Sequence, residues 1–95
     1  MSGKEAYQEK MEAQLKAMAA EIARLKAKAA GAQADVKAEY EKHIADLHAQ
    51  HRDAHSKLED VKLAGAAAWE ELKTSVEMAF DQIRQSLKHA AAKFK

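Results

Sequence analysis

The chain contains no cysteine and no proline. Without cysteine there is no disulfide, no thiolate metal site and no thiol nucleophile. Without proline, and with glycine only at Gly3, Gly31 and Gly65, a helix has just two interior places where it could break. Strand formers are scarce, at three valines, three isoleucines and one threonine, which excludes a sheet. No apolar run approaches the roughly 18 residues of a membrane span. The opening MSGKEAYQEK lacks the apolar core of a secretory leader. A cytoplasmic location is therefore expected. Neither charge sign dominates: 16 basic and 15 acidic residues are mixed along the chain for a net +1. A basic stripe is missing, so no nucleic-acid partner is expected.

Enzyme signatures are also lacking. There is no glycine-rich phosphate loop. Ser2, Ser56, Ser75 and Ser86 fall on expected helix surfaces or caps, and Glu59-Asp60 and Glu70-Glu71 read as solvated helix charges. No enzymatic activity and no obligatory cofactor are expected.

What the chain does have is alanine, 23 of its 95 residues. Alanine favours helix but buries little area. Only 22 apolar side chains have real bulk, so burial is expected to be completed against a second copy. Ser2-Gly3-Lys4-Glu5 has the S-x-x-E form of a capping box. From there the apolar positions run Tyr7, Met11, Leu15, Met18, Ile22, Leu25, Ala29, Ala32 and Val36, a heptad-like seam with Leu15, Ile22, Ala29 and Val36 as a positions. Tyr40, Ile44, Leu47, His51, Ala54, Leu58 and Val61 continue it after a one-residue skip. The small-residue stretch AKAAGAQA, residues 27–34, is compatible with a break at Gly31, but alanine's propensity favours a continuous helix.

The expected architecture is all-α: one coiled-coil hairpin unit over 1–95 that oligomerises, with a long helix over 2–63, a candidate turn at 64–67 and an amphipathic helix over 68–95; the alternative is one unbroken helix carried through Gly65 by Ala66, Ala67 and Ala68. Gly65 is the candidate for a left-handed cap at that turn. In the last helix, Trp69, Leu72, Val76, Phe80, Ile83, Leu87 and Phe94 fall within ~80° of one another on the helix surface. Glu70 and Glu71 at its start and Arg84, Lys88, Lys93 and Lys95 towards its end suit the helix dipole. The pairs Glu21–Arg24, Glu39–Lys42, Glu59–Lys62, Glu70–Lys73 and Asp81–Arg84 have i,i+3 spacing. A short helix folded onto a long one would leave the seam at 7–29 bare. An antiparallel dimer, with residues 27–34 near its two-fold axis, would cover it. The expected assembly residues are Leu15, Ile22, Leu25, Val36, Ile44, Leu47, Leu58, Trp69, Phe80 and Ile83.

Three stretches, MSGKEAYQEKMEAQLKAMAAEIARLKAKA, AEYEKHIADL and AAWEELKTSVEMAFDQIRQSLKHAAAKFK, resemble small bacterial coiled-coil proteins grouped as a stress-response family. The resemblance implies an all-helical, water-soluble protein without assigned catalysis. The family carries a Gly-Asp step where this chain has Gly65-Ala66, and Arg, Lys or Gln where it has histidines.

Those histidines form the densest chemical feature. HIADLHAQHRDAH, residues 43–55, holds four of the five. On a helix His48, His51 and His55 lie within ~60° of one another, a spacing that could chelate zinc, nickel or copper from one face. Glu59, one turn beyond, would be the fourth ligand, with His43 badly placed. The plainer alternative makes His51 a polar a-position residue that sets register, with the others solvated. His89 reads as a lone surface residue.

The leading expectation is a non-enzymatic structural or protective protein that self-associates, with its protein partner unspecified. A metal-responsive helix through His48, His51 and His55 is the alternative. Reversible binding of amphipathic helices to a lipid surface is the third.

Overall fold

The computed structural model describes residues 3–94. These fold into α1 (Gly3–Ala30), α2 (Ala34–Leu63) and α3 (Trp69–Lys93), with no strand among the described residues. The helices run up, down and up in a rod of 51 × 19 × 19 Å. Ser2 of the capping box and Lys95 lie outside the described residues.

The expected helix over 2–63 is two helices. It breaks at Gly31–Gln33, where Gln33 adopts an extended conformation (φ −67°, ψ 157°). α1 ends in a tightened turn, Gly31 N donating to Lys28 O and Ala32 N to Ala29 O. These bonds satisfy carbonyls that a helix end leaves open. α2 then starts with Lys37 N donating to Gln33 O at 2.7 Å. Energetically, the break disrupts a few residues whose helix preference is worth at most ~1 kcal/mol each. Folding α1 back buries Met11, Leu15, Met18 and Ile22, at about 1.5–3 kcal/mol apiece. Burial outweighs propensity. The seam expected to lie bare is covered within one chain, and residues 27–34 form the first corner of the rod.

The second corner forms at the candidate turn, and the chain does not run as one helix through Gly65. Ala64 is extended (ψ 151°) and its amide donates to Val61 O. Trp69 N donates to Gly65 O at 3.2 Å. Gly65 takes no left-handed cap: no described residue has positive φ. Lys4 Nζ donates to Ala64 O at 2.6 Å, which ties the start of α1 to this corner and places a cation at the C-terminal end of α2.

Leu15, Ile22, Ile44, Leu47, Leu58, Trp69, Phe80 and Ile83 are all buried in one core with Val61, Val76 and Ala54, and Leu25 is partly buried against it. Val36 is the exception, 39% exposed. The seam period that placed it assumes an uninterrupted helix, and the corner at 31–33 turns it outward. Two ion pairs among the described residues, Lys57–Asp53 at 3.1 Å and Lys93–Glu39 at 3.4 Å, differ from those expected by i,i+3 spacing. Both are solvent-exposed, and such pairs add at most about 1 kcal/mol.

An aromatic cluster closes one end of the rod. Tyr7 and Trp69 rings sit 5.6 Å apart, and Lys73 Nζ lies over both, at 5.2 and 5.4 Å. The Tyr7 hydroxyl is buried without a hydrogen-bond partner. Burial, and secondarily the Glu77 carboxylate, push its pKa above the ordinary 10.0. A pKa raised on folding stabilises the fold fully below the unfolded value; that contribution is lost as pH rises through the folded one. Tyr7→Phe is therefore expected to be neutral or mildly stabilising at neutral pH, because it removes an unsatisfied hydroxyl. Above pH 10 its advantage over wild type should grow. Urea unfolding of both proteins across that range checks this, and a constant difference would contradict it.

Candidate functional site

The histidine-rich stretch lies in the middle of α2, as one helical surface crossing from solvent to core. His48 and His55 are exposed and His51 is half-buried. His51 Nε2 lies 2.9 Å from the carbonyl oxygen of Leu15 in α1. A carbonyl only accepts, so this ring nitrogen carries a proton and donates. The bond pins α2 to α1 across 36 residues of sequence. Glu59 is half-buried on the next turn. Among the described residues, no group of three or more His, Asp or Glu side chains is arranged to hold a metal ion. The geometry thus places His51 between helices and does not draw His48, His55 and Glu59 around it.

The structure instead brings together two histidines that the spacing separates. His43 of α2 and His89 of α3 face each other across the two helices, ring centroids 5.8 Å apart and planes tilted by 45°. His43 and Phe94 also meet in an edge-to-face pair, ring centroids 5.5 Å apart, and Phe94 stacks on Tyr40 at 3.8 Å. A cleft of about 430 Å³ beside the pair is lined by Asp46, Gln50, Gln85 and Ser86. Gln50 Oε1 is buried and has no hydrogen-bond partner. Local sequence signals cannot show this pairing, because it depends on where α3 returns along α2.

A second feature lies between α1 and α3. The two helices meet at Tyr7–Trp69, and Arg84 donates to Gln14 Oε1 midway along them. Beyond that they leave a cleft of about 540 Å³ lined by Ala17, Met18, Glu21, Arg84, Leu87 and Lys88. It continues past Arg24, Leu25 and Lys28 to Phe94. Its floor is apolar and its rim charged. Among the described residues, Arg24, Lys28 and Lys88 have no carboxylate at ion-pair distance.

The aromatic face of α3, a candidate for lipid contact, is turned inward: Trp69, Phe80 and Ile83 are buried. Contact of that face with a lipid surface would require α3 to leave the bundle. No described helix is long and apolar enough to cross a membrane. No protein-family model, curated protein or solved structure matches the chain.

Proposed function

We propose that this chain is a non-enzymatic interaction protein that pairs antiparallel with a second copy of itself across the α1–α3 face. The supporting observation is the order of charges along one edge of α3. Glu77, Asp81, Arg84 and Lys88 follow at spacings of four, three and four residues, and so share one strip of the helix. Glu77 acts on the Tyr7 hydroxyl of α1, and Arg84 and Lys88 line the α1–α3 cleft, so this strip borders α1. It is acidic in its first half and basic in its second.

Two such strips laid antiparallel about a two-fold axis set Glu77 against Lys88 and Asp81 against Arg84, each contact made twice. A parallel arrangement would set like charge on like. The α1 side has the same symmetry. Lys10 and Glu21 are eleven residues apart, close to three full turns, and flank Gln14, which bonds to Arg84. The axis that pairs the α3 strips would therefore also set Lys10 against Glu21. Leu25, Leu87 and Phe94, only partly covered in one chain, supply apolar area for the contact. A closed two-fold interface is self-complementary in this way. A protective role under stress would follow the family resemblance and rests on it alone.

Sedimentation equilibrium tests the pairing. Wild type should dimerise, more weakly as salt is raised. Asp81→Arg or Arg84→Asp alone places like charges opposite each other at two symmetric positions, and should weaken pairing by about tenfold or more. The double variant Asp81→Arg/Arg84→Asp should restore it. A chain that stays monomeric, or single variants that pair as well as wild type, would overturn the reading.

A further inference from the structure

We propose that His43 and His89 together bind a first-row divalent cation of the zinc class in the cleft between α2 and α3. This site is distinct from the α2 face of His48, His51 and His55, and it does not depend on the pairing proposed above.

Distance supports it first. Zinc binds an imidazole nitrogen at ~2.0–2.1 Å, which puts the ring centroid roughly 3.2 Å from the metal. Two rings on one tetrahedral ion then have centroids about 5.2 Å apart, and wider angles at the metal extend this towards ~6.4 Å. The observed 5.8 Å lies inside that span. The two side chains come from different helices, so a shared ion would cross-link α2 to α3.

The surroundings support it second. Two imidazoles leave the remaining coordination positions to water, and a metal-bound water must donate hydrogen bonds. Gln50 lies seven residues, two turns, after His43 on the same face of α2, and it lines this cleft. Its Oε1 is a buried acceptor with no partner. That oxygen is closed to the water of the cleft, so it takes no part in the site. Asp46 lines the same cleft; it does not complete a three-ligand set with the two histidines, and its negative charge acts through space. His89 lies near the C-terminus of α3, where the helix dipole favours a cation. Packing against Phe94 limits the freedom of His43 and pre-orders one of the two ligands.

The test uses the full chain, zinc chloride and a chelator, read as circular-dichroism melts. A cation bound only by the folded state raises the melting midpoint by mass action. At roughly five times the dissociation constant, the rise for a domain of this size is about 4–8 °C. The rise should disappear in His89→Ala. His89 is exposed, so that variant should fold like wild type in chelator. The rise should persist in the double variant His48→Ala/His55→Ala, and it should fade on acidification because imidazole coordinates in its neutral form. His43→Ala can be destabilised by loss of its Phe94 contact, so it is compared with and without zinc rather than with wild type. No zinc-dependent rise, a rise that survives His89→Ala, or a rise lost in His48→Ala/His55→Ala would each overturn the proposal.

Discussion

Replacing Phe80 with alanine is expected to lower the unfolding free energy by about 3–5 kcal/mol. Phe80 is fully buried and is the largest of the side chains that are completely inside the core. Much of the remaining apolar content is alanine, which cannot move in to fill the space left by a ring. Domains of this kind hold about 5–15 kcal/mol in total, so the variant should lose roughly a fifth or more of its stability. Urea unfolding followed by circular dichroism measures this directly. A loss below about 1 kcal/mol would mean that the inner face of α3 is not the core.

A pair of substitutions tests the chain path itself. Ile22→Ala is expected to cost about 2–5 kcal/mol, whereas Val36→Ala should cost less than about 0.5 kcal/mol. Both residues are a positions of one heptad seam in the sequence. In a single long helix they would be equivalent, and both would depend on a second chain for cover. In the three-helix bundle Ile22 is buried within its own chain and Val36 faces outward. The cost of Ile22→Ala should therefore be the same at low and high protein concentration. Equal costs at the two positions, or an Ile22→Ala cost that appears only on dilution, would rule out the corner at Gly31–Gln33.

The residues that build the core were largely legible in the sequence because burial on a helix follows its period. Met11, Leu15, Met18 and Ile22, then Tyr40, Ile44 and Leu47, then Ala54, Leu58 and Val61, recur every three or four positions and are buried. The inward face of α3 was equally clear from Trp69, Val76, Phe80 and Ile83. The corner at 31–33 was not. Residues 27–34 are small and alanine-rich, so local propensity favours helix, and no residue there takes a conformation that requires glycine. What turns the chain is the burial of Met11 to Ile22 against α2, tens of residues away. Val36 was misplaced for the same reason, since its expected face depends on the helix continuing.

The candidate sites divide in the same way. The crowding of four histidines into residues 43–55 is visible in the sequence, and so is the placement of His51 on the apolar seam. The bond from His51 to the Leu15 carbonyl needs α1 to lie alongside α2. The approach of His43 to His89 needs α3 to return antiparallel in one register, and a shift of one turn would part them. The change from acidic to basic along Glu77, Asp81, Arg84 and Lys88 is local and can be read directly. That this strip borders α1 is a property of the bundle.

Helical character, the apolar stripe of each segment and Gly65 as a candidate corner were thus readable without the fold. These depend on interactions between residues three or four apart, which backbone geometry sets without reference to the rest of the chain. The breaks at Gly31 and beside Gly65, the outward turn of Val36 and the partners of His43 and His51 came from the packing of the whole bundle. Each of these follows from burial summed over whole helices, which exceeds the roughly 1 kcal/mol per residue of local preference.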